Sequence, residues 1–358
     1  MNASFKQLTF AREYRGLTQS ELASKIKGLS QPNLSKFEKG LQTLSEDLVE
    51  RIMEYLEFPM SFLTASISTE ITNAHYRKKA SLTKGKKDRI ERQSKLIGYV
   101  IDCMSAHLEF PDTHIRSIDL DDGYTPEDVA KYARNYFRLG DRPVENIVSL
   151  LENHGIIVIE RNFGTDDFDG VSFITDKGFY VTVINKAYSN DRKRLTLAHE
   201  LGHIIMHLDP SFIISSHRNK EVEAYRFASE FLMPTAYIKP SLNNLKISYL
   251  GTLKSYWLTS MASIIHRAYD LGTIDKNRYT YLNIELSRNG FKKREPINVM
   301  IDEPVLLRDG YEILSKEFQF NIEYLSHEFC LPQDVLNDIY YETPFSSIKF
   351  ELKHSFFI

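Results

Sequence analysis

Apolar residues recur at helical spacing in the first part of this chain, alternate or run together near its middle, and return to helical spacing afterwards. That succession predicts helices on either side of a small sheet. Four short helices are expected within residues 5–63. Phe5, Leu8 and Ala11 begin the first, which Gly16 closes. Thr18-Gln-Ser-Glu21 is a capping box for a second through Leu22, Ala23 and Ile26, broken at Gly28. A third spans about Ser30 to Lys39, with Pro32 in its first turn and Gly40 at its end. Ser45-Glu-Asp opens a fourth carrying Leu48, Ile52, Met53 and Leu56.

Further along, Ile90, Leu96, Ile97 and Val100 mark a helix. Thr125-Pro-Glu-Asp128 supplies an N-cap and acidic first turn for one reaching about Arg138, and another follows from Val144 to His154. Strands are predicted over Gly155–Glu160, Val171–Thr175 and Phe179–Asn185, the last two joined by Asp176-Lys-Gly178 as a hairpin. Leu258–Ala268 reads as an amphipathic helix, and residues 300–358 as helical with an aromatic-rich tail.

Within Leu195–His207 the pattern carries chemistry. Leu197, Ala198, Ile204, Ile205 and Leu208 cluster around Leu201, and His199 and His203 fall opposite them. The sequence there is His199-Glu200-x-x-His203, which sets two imidazoles one turn apart with a carboxylate between them. Both rings can reach one ion, and Glu200 is positioned to take a proton from metal-bound water. An open zinc site needs a third protein ligand. On the next predicted helix, Glu221 falls within the arc of the apolar stripe Ala224, Phe227, Ala228, Phe231 and Leu232, whereas Glu223 and Glu230 project away. A carboxylate on such an arc is costly unless paired or metal-bound, so Glu221 is the expected ligand, with Glu223 as the alternative. His207 lies about 12 Å of helix rise from His199, too far to share an ion, and is expected to orient a neighbour or line the cleft.

The amino-terminal helices suggest a second activity. Leu17-Thr-Gln-x-Glu-Leu-Ala followed by Leu29-Ser-Gln-x-x-Leu-Ser-x-x-Glu-x-Gly40 resembles the phage repressor/Cro-type helix-turn-helix family. The resemblance implies that Gln19 helps clamp a phosphate and that Gln31, Asn33, Ser35 and Lys36 read base edges; Pro32 stands where that family usually has a polar residue. Seven Lys/Arg against three Asp/Glu between Phe5 and Gly40 agree with a local DNA-facing surface. Such domains bind operators as dimers, so a homodimer, or dimerisation on DNA, is expected.

Composition adds limits. A net charge of −3 over 358 residues excludes wholesale basicity, so any nucleic-acid surface is local. Cys103 and Cys330 stand far apart in no metal-ligand spacing, and no signal core or membrane-length apolar run is present; a cytoplasmic protein without membrane contact is expected. The basic run His75–Arg89 reads as a solvated face, with a DNA-backbone contact or a domain dock as alternatives.

The middle of the chain resembles the ImmA/IrrE-like metallopeptidases, a gluzincin-type family often fused behind such a helix-turn-helix. The resemblance rests on Asn153-His-Gly-Ile-Ile-Val, Phe168-Asp-Gly-Val-Ser, Asn185 with Asp191-Arg-x-Arg194, Leu-Ala-His-Glu-Leu-Gly-His203, and Glu221-x-x-Ala-x-x-Phe-Ala-x-x-Phe-Leu-Met-Pro234. It implies zinc on His199, His203 and Glu221, with Glu200 as base. The family usually places Asn or Asp four residues after the third ligand to buttress a metal histidine; here that residue is Tyr225. Tyr180, Tyr188 and His207 are candidate oxyanion donors, and Val171–Thr175 or its partner strand is a candidate for holding extended substrate by backbone pairing.

The expected class is a multidomain α+β protein. It comprises a helix-turn-helix bundle (1–64), a basic linker and helix (65–118), a gluzincin-like α+β domain with a small sheet (119–290) and a mostly helical end (291–358). The expected function is a DNA-binding regulator whose zinc metallo-endopeptidase cuts a regulatory protein such as a repressor. Two readings compete with it: a transcription factor whose peptidase-like domain senses a peptide or metabolite without cutting, and an antitoxin-like autorepressor.

Overall fold

A computed structural model describes residues 4–65, 67, 75–78, 84–340 and 351–352. Part of the basic run, at 79–83, and most of the aromatic-rich tail lie outside the described residues.

The amino-terminal bundle holds α1 (Phe5–Tyr14), α2 (Gln19–Lys25), α3 (Gln31–Glu38) and α4 (Glu46–Tyr55). Its caps form as expected: Thr18 and Glu21 make the reciprocal box, and Ser30 accepts the amide of Asn33. A short strand, β1 (His75–Lys78), precedes the long helix α5 (Lys84–Met104). Then come the two-residue strand β2 (Leu108–Glu109), α6 (Pro126–Tyr136), α7 (Ile147–Glu152), β3 (Ile156–Arg161), β4 (Phe168–Ile174), β5 (Tyr180–Asn185), α8 (Asn190–His207) and α9 (Lys220–Leu232). Beyond α9, helices include Ile247–Trp257, Met261–Asp270 and Lys276–Arg288, and later Leu306–Glu317, Ile322–Glu328 and Gln333–Tyr340. The amphipathic helix expected from Leu258 begins only at Met261. Leu258, at φ 57, closes the preceding helix, and Ser260 caps the next.

The sheet has the order β1-β4-β5-β3. β4 and β5 form the expected antiparallel hairpin, with Gly178 in the left-handed region at its turn, and β3 runs parallel to β5. The unexpected member is β1, which extends the sheet beside β4. Alternating side chains send the two faces of this sheet into different cores. Ile157, Ile159, Val171, Phe173, Val181 and Val183 join one that contains α5, the amino-terminal bundle and the last helices. Ile156, Val158 and Ile184 join the other, with α6, α7, α8, α9 and the helices that follow.

The amino-terminal bundle is thus not a bead on a string. Arg92 of α5 pairs with Glu13 at 2.6 Å and covers the Phe10 ring, and Arg15 pairs with Asp334 at 2.5 Å. Among the described residues no helix is long and apolar enough to cross a membrane.

Candidate metal centre and nucleic-acid interface

Helix α8 is buried along almost its whole length, and buried charges tie it to its surroundings. Asp191 meets Lys254 at 2.8 Å, and Lys254 also meets Glu295 at 2.6 Å. Arg192 pairs with Asp169 at 2.6 Å and covers the Tyr188 ring. Arg194, fully buried, donates to the carbonyls of Val144, Glu145 and Leu258, and its burial pushes its pKa down to about 10. The Asp191-Arg-x-Arg194 stretch therefore works as a set of struts. Each charge is tolerable inside because it is matched.

Two glycines set how closely α8 approaches its neighbours. A Cβ on Gly202 would lie 2.9 Å from the Phe227 ring, so only glycine lets α9 lie this close to α8. A Cβ on Gly170 would lie 2.8 Å from Thr196 Cγ2 and 3.1 Å from the Val183 carbonyl oxygen. These contacts bring Glu221 of α9 and the polar face of β4 onto the His-Glu-x-x-His turn.

His199 Nε2 and His203 Nε2 are 3.0 Å apart, and Glu221 stands 3.3 Å from the first and 3.4 Å from the second. A tetrahedron with bonds near 2 Å has edges of about 3.3 Å, so this donor set fits a small divalent cation such as zinc. Among the described residues it is the one group of three or more such side chains close enough to share an ion. Glu221 does not occupy the core position expected for it: its side chain is 45% exposed, and it leans across the histidines from the rim. Glu230, expected to point outward, is instead buried and paired with Arg267 while its oxygens accept from Thr235. Glu230 is buried because Arg267 and Thr235 cover the flank of α9, whereas Glu221 stays partly exposed in the first turn of that helix.

Burial pushes the His203 imidazole down to about 4 despite the pull of Glu221, which keeps the ring neutral near pH 7. Burial raises the Glu221 carboxyl, but hydrogen bonds and charge from His199 and His203 together outweigh it and hold the group well below the ordinary carboxylate range.

A hydrogen-bonded chain then orients His203. Arg218 grips Glu223 through both of its oxygens at 3.0 Å, Glu223 lies 2.8 Å from His207 Nε2, and His207 Nδ1 lies 2.9 Å from His203 Nδ1. The carboxylate can only accept, so His207 Nε2 donates. A neutral His207 then accepts at Nδ1 from His203 Nδ1–H, which leaves the His203 Nε2 lone pair facing Glu221 and His199. Glu223 thus supports His203 through His207, which sits as a neighbour-orienting residue rather than beside His199. Tyr225 lies edge-on against the His199 ring, with centroids 4.6 Å apart.

Sequence reasoning assigned no role to Ser172 and Thr182. Ser172 Oγ donates to Glu200 at 2.8 Å and lies 2.9 Å from Thr182 Oγ1. The available signal was a single polar residue between apolar ones in each strand, Val-Ser-Phe and Val-Thr-Val, on the face toward α8. Two proposed oxyanion donors are engaged elsewhere: Tyr188 donates to the Asp166 carbonyl at 2.6 Å, and Tyr180 bonds Ser117. His207 has both nitrogens in the chain just described.

In the amino-terminal bundle, α3 packs on α1 and α2. Gln31 donates to Gln19 Oε1 at 2.9 Å, and Gln19 donates to Glu38 at 2.7 Å. Glu38 in turn takes two bonds from the buried Arg12, at 2.6 and 2.8 Å. Asn33 and Ser35 are half-buried and Lys36 is exposed. Of the seven basic residues counted in this unit, Arg12 and Arg15 are spent on internal partners, leaving Lys6, Lys25, Lys27, Lys36 and Lys39 toward solvent.

Residues 151–269 match the family model of the IrrE N-terminal-like domain, a peptidase family, and residues 10–63 match a helix-turn-helix family model. No curated protein matches the chain. The chain therefore carries a DNA-binding helix-turn-helix of the XRE type followed by an IrrE N-terminal-like, metallopeptidase-like domain.

Proposed function

We propose that this chain is a DNA-binding regulator that cuts a regulatory protein, such as a repressor, with a zinc-dependent endopeptidase centre. The observation that carries this reading is the convergence of His199, His203 and Glu221 to within 4.8 Å beside Glu200 on the same helix. His199, His203 and Glu221 would hold the ion. When bound, zinc supplies a Lewis acid for the scissile carbonyl and lowers the pKa of water. Glu200 takes the proton of the attacking water and returns it to the leaving amine nitrogen. Ser172, itself bonded to Thr182, holds the Glu200 carboxylate in place, while Arg218, Glu223 and His207 keep the His203 lone pair aimed correctly. On the DNA side, Gln31, Asn33, Ser35 and Lys36 read base edges, with Gln19 near the backbone.

Metal analysis with a cleavage assay tests the reading. Stoichiometric zinc in wild type, retained by Glu200→Gln while loss of a co-expressed repressor slows at least about 100-fold, is expected. Equal repressor loss in both proteins removes the proteolytic mechanism. The non-cleaving sensor reading draws support from one observation, the complete burial of His199, Glu200 and His203. It predicts ligand-dependent operator binding that is the same in wild type and Glu200→Gln.

A further inference from the structure

The edge of β4 is already occupied. Its inner side pairs with β5, and along its outer side His75 lies opposite Ser172, Tyr76 opposite Val171, Arg77 opposite Gly170 and Lys78 opposite Phe168, all antiparallel. Two of these β4 residues, Ser172 and Gly170, lie against α8 and Glu200. Ser172 holds Glu200, and Gly170 marks the close contact of β4 with α8. An extended polypeptide paired with a free sheet edge takes this kind of arrangement, with backbone hydrogen bonds supplying affinity. Here the extended polypeptide is the segment between the amino-terminal bundle and α5.

We propose that His75–Lys78 is a built-in occupant of the substrate edge, and that it must leave before another chain can pair with β4. The meaning of that edge rests on the peptidase reading above; its occupancy does not. The pairing is four residues long, and its register shifts between Arg77 and Lys78. A strand this short is marginal by itself and is held mainly by its ladder, which suits a reversible cover. On the amino-terminal side, Phe62 and Leu63 are buried in the shared core; on the other, Ile90 is buried and Arg92 is paired with Glu13 of the amino-terminal bundle. A purely protective edge strand would also cover backbone groups, but it would not compete with peptide.

The test uses the full chain carrying Glu200→Gln, so that binding is read without turnover. The probe is a fluorescein-labelled synthetic peptide copying residues 72–82, followed by anisotropy. Tyr76→Pro with Arg77→Pro, which removes ladder donors, should tighten peptide binding at least tenfold. It should also raise amide exchange across residues 170–172 when peptide is absent. Tyr76→Cys with Val171→Cys, oxidised to fasten the two strands, should abolish binding, and reduction should restore it. If the proline pair fails to fold, the fastened pair decides alone. Unchanged affinity in the fastened protein overturns the proposal, as does cutting within residues 75–78 in zinc-loaded wild type, which would make the segment a substrate. Tighter binding by the proline pair, together with no cleavage by the zinc-loaded protein that keeps Glu200, would uphold the proposal and defeat the peptidase reading.

Discussion

Helix α3 offers Lys36 to solvent and keeps Asn33 and Ser35 half-exposed, whereas α8 buries His199, Glu200 and His203 completely. The first is assembled from neighbours within the amino-terminal bundle, with Arg12 of α1 reaching Glu38 at its end. The second draws on β4, β5, α9 and the loop bearing Arg218, and it rests on matched internal charges. A surface that meets a large polyanion can be local, because solvent screens its charges and phosphate supplies the partner. A centre that must present neutral imidazoles to a cation needs burial, and burial must be supplied by distant segments. Damage should therefore stay local in α3 and spread widely from α8.

The largest expected effect is on the ion. His203→Ala should abolish stoichiometric zinc, and His207→Ala, which removes no proposed ligand but frees the His203 ring, should still weaken zinc about 10- to 100-fold. Chelator competition on purified protein checks both, and unchanged affinity in His207→Ala would sever the orienting chain from the centre.

Next comes the pH response of a buried carboxyl. Glu152 accepts the amides of Val305 and Leu306, and burial raises its pKa to about 8. The native state then holds this proton between about pH 4.5 and 8 after the unfolded chain has released it, so this group's contribution to stability falls as pH rises through that window. Glu152→Gln keeps an acceptor without the charge, so its stability relative to wild type should improve from pH 5 to 8, on the order of a few kcal/mol by the upper end. Parallel denaturant titrations measure the slope; identical slopes would remove Glu152 from the account.

A smaller loss is expected from Gly202→Ala, about 1–3 kcal/mol, as Phe227 and α9 are pushed from α8. Zinc affinity should drop in the same variant, because Glu221 rides on α9. At α3 the consequences are narrowest. Gln31→Ala should relax preference at one base position by roughly 1–3 kcal/mol, and Lys36→Ala should lower the salt dependence of DNA binding by about one counterion. Neither change should alter zinc content. A zinc deficit in either would contradict the local character of α3.

The contrast also explains what was legible in the chain. Caps, glycine stops and the His-Glu-x-x-His spacing are short-range, and Thr18, Ser30, His199 and His203 could be read directly. The hairpin around Gly178 was equally local. What escaped was the pairing of His75–Lys78 with β4, because backbone ladders leave no side-chain signature and a basic run has the composition of a solvated face. Glu230 escaped for a related reason: it was assigned outward, yet Arg267 reaches it from a separate helix. Glu221 does lie beside His199 and His203, but at the rim rather than on the core position from which it was inferred.

The row Arg12, Glu38, Gln19, Gln31 has a consequence for how a duplex is met. Glutamine is among the most freely rotating side chains, and ordering one at a binding surface costs about 0.5–1.5 kcal/mol. Here the Gln31 carboxamide is already bonded to Gln19, which is bonded to a carboxylate fixed by a buried guanidinium. Its rotamer entropy is surrendered during folding, before any base pair arrives. In the base-reading role proposed for Gln31, encounters with wrong sequences would meet a stiff template that cannot adapt to them, so discrimination would come from rigidity as much as from the hydrogen bonds themselves.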